Sequence, residues 1–202
     1  MIRVGWFREA GEVRGDGVIH ESAENRLLAR VAAQDRAALA ELYARFQHPL
    51  FSYLYHLLGQ KEQAEDVLQE VMVAVWQKAP TFRGQTPAAG WIFGIAHHQA
   101  YTALRRAGRA PHLGLEAADD LPDSAPAPDA GLLRRATRDE VARALAALTP
   151  EHREVLELAF FQEFAGREIA AIVDIPLGTV KSRLSYARRA LKAALIRNGW
   201  EE

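Results

Sequence analysis

The chain has no cysteine among its 202 residues. That excludes disulfides, thiolate metal sites and thiol nucleophiles, and it agrees with a reducing compartment. A dominant charge is missing too, because 25 Lys and Arg against 26 Asp and Glu leave a formal net charge of −1. A polyanionic partner therefore feels no global attraction and has to be met by locally segregated charge. No apolar run approaches the ~20 residues that span a bilayer, so no membrane insertion is expected. Residues 1–21 mix Arg3, Arg8, Glu9, Glu12 and Asp16 with glycines and lack the apolar centre of a secretion signal, which predicts a mobile extension and a cytoplasmic protein. There is no strand-like alternation, no internal repeat, no phosphate-cradling glycine loop and no pairing of a nucleophile with a base. An enzyme is the least supported class, and neither a cofactor nor a metal is expected.

What remains is helix after helix. Leu27, Leu28 and Val31 recur at helical spacing, as do Leu39, Leu42, Tyr43 and Phe46. A further helix is predicted over Glu62 to Lys78, between Gly59 and Pro80. The loop Thr81–Thr86 follows, and Pro87 opens a helix that runs to about Arg106. Composition then changes. From Pro111 to Gly131 there are four prolines and five acids (Glu116, Asp119, Asp120, Asp123, Asp129) with no Lys or Arg. Such a stretch buries too little apolar surface to offset its ordering entropy and reads as a linker, with a reach of up to ~70 Å when extended at ~3.3 Å per residue. Helical periodicity resumes at Leu132. The fold class is all-α, with two small helical domains joined by a flexible acidic linker. The expected division is an extension over 1–21, a first domain over 22–107, a linker over 108–131 and a second domain over 132–202.

After Thr149-Pro150, suited to a cap and a first turn, three helices are expected. The first turns Val155, Leu156, Leu158 and Ala159 inward. The second carries Ile169, Ile172 and Val173. A tight turn over Asp174–Gly178 leads to a third helix with Val180, Leu184, Ala187, Leu191 and Leu195 on one stripe. Opposite that stripe lie Ser182, Ser185, Tyr186 and Arg189, with Lys181 beside them and Arg183 and Arg188 on its flanks. No acid occurs between Ile175 and Trp200, whereas Lys181, Arg183, Arg188, Arg189, Lys192 and Arg197 are basic. Short polar donors for base edges beside basic groups for phosphates make a DNA-recognition helix. A solvated basic helix end accounts for Arg197 and Lys192, but not for the basic residues at the helix start.

Ile175-Pro176-Leu177-Gly178-Thr179-Val180-Lys181-Ser182-Arg183-Leu184, with Ala187-Arg188, resembles the signature of bacterial sigma factors of the extracytoplasmic-function (ECF) type. Leu148-Thr149-Pro150-Glu151-His152-Arg153-Glu154-Val155-Leu156 and Glu168-Ile169-Ala170 are similar to the same family's fourth-domain pattern. Ala64 to Val71 with Trp76 resembles its polymerase-binding helix, and Phe82-Arg83-Gly84 with Trp91 to Ala96 its promoter-melting region. Two places depart from the pattern. Glu163 and Ala165 stand where the family has Gly and Ser, and Tyr186 stands where many members carry Arg.

The resemblance implies a non-catalytic factor that binds the clamp of core RNA polymerase and directs it to promoter DNA. Thr179, Lys181, Ser182, Arg183, Ser185, Tyr186, Arg188 and Arg189 would meet the minus thirty-five element. Phe82, Arg83, Trp91, His98, Tyr101 and Arg105 would meet the opened minus ten element, since aromatic rings give unstacked bases a platform. For Trp91 a core role and a DNA-facing role are both open, and Phe93 reads as core. Asp66, Gln69, Glu70, Val73 and Trp76 would dock on polymerase. From pattern alone a helix apolar on two sides, with Met72, Val73 and Trp76 opposite Ala64, Val67, Leu68, Val71 and Val75, is equally a central bundle helix. An anti-sigma partner is implied as a cover for exposed apolar positions. The acidic linker is either a spacer or an RNA-like charge for a cationic channel. The alternative function is a two-domain helix-turn-helix regulator that does not load polymerase.

Overall fold

The computed structural model describes residues 22–84, 86–109 and 143–197, and every regular element among them is helical. The expected extension, the linker beyond residue 109 and the stretch that follows it lie outside the described residues, as do the side chains of Leu195 and Arg197.

Helix α1 (Ala23–Ala32) starts at Ser22, whose hydroxyl accepts the Asn25 N–H at 3.1 Å, and buries Leu27, Leu28 and Val31. Helix α2 (Arg36–Leu58) starts at Asp35, whose carboxylate accepts the N–H groups of Ala37 and Ala38. Those bonds and the nearby Arg30 guanidinium hold the Asp35 carboxyl below its ordinary range, the Ala38 N–H contributing most. The apolar stripe legible from Leu39 to Phe46 runs on past Pro49 through Leu50, Tyr53, Leu54, Leu57 and Leu58, all buried. Pro49 has no N–H to offer one turn back, yet packing on both sides carries the helix through it. Tyr43, expected on that stripe, is 41% exposed. Gly59, at φ 77°, closes the helix in the left-handed conformation that glycine adopts without a Cβ clash.

Helix α3 (Lys61–Lys78) buries Ala64, Val67, Leu68, Val71 and Val75 as expected, and Met72 as well, which the sequence pattern had put on the opposite side. A short 3₁₀ turn (Ala79–Thr81) leads through the loop to α4 (Ala88–Arg106), where Asn25 Oδ1 accepts the Ala88 N–H at 2.8 Å.

In the C-terminal part a helical stretch over 143–146 precedes α5 (Pro150–Leu156). Thr149 has the expected N-cap position, but its hydroxyl meets His152 Nδ1 at 2.8 Å rather than a backbone N–H. Beyond Leu156 the helix widens into a π turn (Glu157–Phe161), closed by the Gln162 N–H on the Glu157 carbonyl at 3.1 Å. Helices α6 (Gly166–Val173) and α7 (Leu177–Arg197) complete the helix-turn-helix, with Asp174 left-handed between them at φ 52°. Val180, Ala187 and Leu191 are buried along α7 as the pattern required, and Leu184 is half-buried.

Two clusters of buried residues hold this together. The smaller joins Ala144, Leu145, Leu148 and Leu156 to Ala187, Leu191 and Ala194, wholly within the C-terminal part. The larger runs from Leu28, Leu54 and Phe93 straight into Val155, Leu158, Ile172 and Val180. The two helical units therefore pack on each other as well as within themselves.

Between α5 and α6 the backbone turns at Glu163, at φ 57°. A side-chain-bearing residue in this region costs about 1 kcal/mol that glycine avoids. Ala165, at the α6 N-cap with φ −68° and ψ 153°, has no side-chain oxygen for the first turn, although Glu168 Oε2 reaches back to its N–H at 2.8 Å. Restoring the missing half of this capping box with Ala165→Ser is expected to stabilise the fold by about 1 kcal/mol, raising Tm by about 2–4 °C in thermal unfolding.

Candidate nucleic-acid interface

Helix α7 presents its outer face much as the spacing predicted. Lys181, Tyr186 and Arg189 are exposed, and Thr179, Ser182, Arg183 and Ser185 are half-buried beside them. The Ser182 hydroxyl bonds back to the Thr179 carbonyl at 3.0 Å. Tyr186, 52% exposed, stacks on the buried His152 ring with centroids 4.4 Å apart and planes inclined by 29°. Arg188 is only partly available. Its guanidinium lies 5.1 Å from the centre of the Phe160 ring, and burial lowers its pKa.

The α3 residues expected to dock lie largely open to solvent. Asp66, Gln69 and Glu70 are exposed, Val73 is an apolar side chain 55% exposed among them, and Trp76 is half-buried at the edge. An isolated exposed valine is ordinary, but one flanked by a half-exposed Trp and three polar groups gives a partner an apolar centre with a polar rim.

The third group is divided. Arg83, His98 and Arg105 are exposed, Arg105 donating to Thr102 Oγ1 at 2.9 Å. Phe82 and Trp91 are half-buried and pack on each other, ring centroids 5.4 Å apart, and both also touch the core. Phe93 is fully buried, edge-on to Tyr53 and to Phe164. Tyr101 points instead at α5, where its hydroxyl donates to Glu154 Oε2 at 2.8 Å. Burial first, and the Glu154 charge second, raise the Tyr101 pKa, so the phenol keeps its proton and remains a donor.

The C-terminal unit lies against this face of α4. A Cβ on Gly94 would sit 3.9 Å from the Ile172 carbonyl of α6. Trp91, Gly94 and His98 share a cleft of about 400 Å³ with Glu168, Ala171 and Ile172. At the seam, two carboxylates, Glu154 of α5 and Glu157 at the start of the π turn, each 1% exposed, collect donors from the other unit. Glu154 accepts from the Tyr53 and Tyr101 hydroxyls and from His97 Nδ1 at 2.7 Å. Glu157 accepts from Ser52 at 3.3 Å and His56 Nδ1 at 2.7 Å, and from Gln162 at 3.2 Å within its own unit. Between them Arg153 donates to the His56 carbonyl at 2.9 Å, at the end of α2.

Residues 42–110 match the family model described as Sigma-70 region 2, and residues 144–193 match that of Sigma-70, region 4. An ECF RNA polymerase sigma factor, RpoE of Cereibacter sphaeroides, is 36% identical over 79% of this chain and 87% of its own length. The ECF RNA polymerase sigma factor SigL of Mycobacterium tuberculosis is 36% identical over 81% of this chain and 92% of its own. The chain belongs to the ECF RNA polymerase sigma factors. Its fold agrees: a solved structure of the sigma factor RpoE with the anti-sigma factor NepR, from Bartonella quintana, superposes at a TM-score of 0.61. That match covers 80% of this chain and 98% of the other, at 24% identity.

The sequence reading of this sigma factor missed the seam. The acid that meets His97, Glu154, arrives from 57 residues further along the chain. The only local signal was a pair of glutamates three apart, on the buried side of an amphipathic helix. His98 itself titrates low. Partial desolvation of its ring is the main cause, the neighbouring His97, Lys78 and Arg105 add to it, and Asp174 opposes it. An unfolded chain takes this proton near 6.5, while the folded one takes it only at lower pH. His98 therefore contributes stability above about pH 6.5, and that contribution fades as the pH falls. An NMR titration should place the His98 ring midpoint below that of a free imidazole, and a midpoint at or above it would contradict this partial desolvation.

Proposed function

We propose that this sigma factor binds core RNA polymerase through α3, opens the minus ten element with α4 and its preceding loop, and anchors the minus thirty-five element with α7. The observation that carries the reading is the separation of three chemically distinct surfaces on three helices. On α3, Asp66, Gln69 and Glu70 ring the exposed Val73 beside Trp76, the pattern of a protein–protein contact. On α7 an exposed face without an acid carries Lys181 and Arg189 beside Ser182, Ser185 and Tyr186, the pattern of a helix that touches phosphates and base edges together. On α4 and the loop before it, Phe82 and Trp91 supply stacking surface, and Arg83, His98, Tyr101 and Arg105 supply polar and cationic groups for an unpaired strand.

No step in this task needs catalysis by the chain. Opening the duplex draws on binding free energy from polymerase and promoter together, and the division of labour is that of a first domain over 22–107 and a second over 132–202. The cell compartment is the cytoplasm, where polymerase and promoter are. Among the described residues no helix is long and apolar enough to cross a membrane. An anti-sigma factor is the expected antagonist. The NepR complex of the related fold supports this, and an apolar docking face such as that around Val73 benefits from a cover when polymerase is absent.

Run-off transcription from genomic fragments with added core polymerase tests the whole reading. Start sites aligned on a shared two-part element support it, and core that stays promoter-blind with the chain present overturns it. Charge reversal at the exposed Asp66 (Asp66→Arg) should cut core affinity at least tenfold without changing the melting curve. Arg189→Ala should weaken DNA binding evenly across sequences and reduce the slope of log affinity against log salt by about 0.9. Tyr186→Arg should instead change preference at a base position.

A further inference from the structure

Of the side chains on the outer face of α7, Tyr186 is unlike its neighbours. It is the one aromatic residue between Leu177 and Arg197, and it is exposed. Lys181 and Arg189 present charge, and Ser182 has placed its hydroxyl on the Thr179 carbonyl at 3.0 Å. A phenol ring offers a broad apolar face instead. On a helix surface an unsupported ring changes rotamer freely, and ordering it on contact costs entropy that weakens discrimination. Tyr186 is supported. Its ring lies on that of His152, centroids 4.4 Å apart and planes inclined by 29°, so one face is covered while the rest stays open to solvent.

The support is itself held. His152 stands buried in the first turn of α5, and its Nδ1 is hydrogen-bonded to the Thr149 hydroxyl at 2.8 Å. Thr149 occupies the N-cap position, with φ −63° and ψ 155°, where a threonine hydroxyl ordinarily accepts a backbone N–H of the first turn. Here it makes no such bond. The cap interaction is given up and the hydroxyl goes to the imidazole, which fixes the plane of that ring. Thr149, His152 and Tyr186 thus form a chain of contacts from the start of α5 to the outer face of α7. The two helices pack through the smaller core, Leu148 and Leu156 against Ala187 and Leu191, so both ends of the chain rest on one body.

Resting on the reading of α7 as the helix that anchors the upstream element, we propose that His152 is a positioning residue for base recognition. It holds the Tyr186 ring so that the uncovered side meets the methyl group of a thymine in the major groove. Among the base edges displayed there the thymine C5 methyl is the one apolar feature, and apolar side chains read it by contact. The tyrosine hydroxyl, which both donates and accepts, does not by itself separate an N7, O6 or O4 acceptor from an amino donor. A ring already in place takes the methyl out of water without first being ordered. One methyl so buried is worth about three- to fivefold in affinity.

Replacing thymine by deoxyuridine removes this methyl and nothing else. Holoenzyme assembled from the full chain and core polymerase is titrated with promoter duplexes in which the thymines of the upstream element are replaced one at a time. One replacement is expected to weaken binding about three- to fivefold. Tyr186→Phe keeps the ring and should keep that ratio. Tyr186→Ala and His152→Ala should each bring it below about 1.5-fold, and the double variant should add nothing further, as for two residues acting through one contact. His152→Phe, which restores a stacking surface, should retain most of the ratio. The slope of log affinity against log salt should stay the same throughout, because the phosphate contacts are untouched. If His152→Ala lowers affinity for both duplexes alike, its role is merely structural and the proposal is overturned, as it is by deoxyuridine tolerated at every position. Should His152→Ala fail to fold by circular dichroism, Thr149→Val, which loses no cap bond, loosens the imidazole instead and should bring the ratio down. An unchanged ratio in that variant overturns the positioning role. If the chain gives no promoter-specific transcription with core, the functional reading falls. The same deoxyuridine scan on duplexes selected by the chain alone then decides the part of His152, and a chain that selects no duplex removes that part as well.

Discussion

Two buried carboxylates on one short helix determine how this molecule is arranged. Glu154 on α5 and Glu157 at the start of the π turn sit three residues apart, each almost without solvent, and most of the donors that satisfy them are drawn from α2 and α4. A carboxylate taken out of water without partners would destabilise the fold by several kcal/mol, so the geometry of the contact is set by the need to bring those donors in. Once Tyr53, Tyr101, His97, Ser52 and His56 are aimed at α5, the position of α6 against α4 follows, and with it the cleft between Trp91 and Ile172. Packing of Val155, Leu158 and Ile172 into the larger core adds favourable free energy, but aliphatic contacts tolerate sliding in a way that a set of directional bonds does not.

The π turn after Leu156 belongs to the same arrangement. By widening one turn it accommodates an extra residue between α5 and the loop that carries Phe164, with Glu157 and Phe161 at its two ends. Glu157 thus reaches Ser52 and His56 while Phe161 lies 5.7 Å from the His56 ring and Phe164 sits against Phe93. The left-handed Glu163 then turns the chain into α6. A local departure from regular helix and a strained residue both lie where two units must be fitted to each other, which is where such features are tolerated.

Much of this was legible in the sequence because it is periodic. The stripes of α1, α3 and α7 are amphipathic, and most of their buried members came out as the spacing implied, from Leu27 and Val31 to Val180 and Leu191. The exposed face of α7 followed from the same wheel, since what opposes a buried stripe is exposed. The misses have physical causes. Met72 and Tyr43 sit near the edges of their stripes, where the angle alone does not decide burial. Pro49 interrupts a local pattern that long-range packing carries through. The seam was out of reach for a different reason. Its pairs join residues 53 to 105 positions apart, and nothing in a local pattern says which unit will lie against which. A buried glutamate on an amphipathic helix looks the same as an exposed one until its partners arrive.

Tyr186 and His152 have a consequence for descent. The ring assigned to read DNA rests on a buried ring of another helix, which in turn is bonded to Thr149 at the start of α5. A mutation that retunes this tyrosine removes a neighbour from His152, and one that alters His152 tilts the tyrosine. Lineages diverging in the promoters they serve must therefore change these two positions in concert, or pass through intermediates weakened in fold or in recognition. Arg189, exposed further along α7, takes no part in this stack, so it can change without disturbing it.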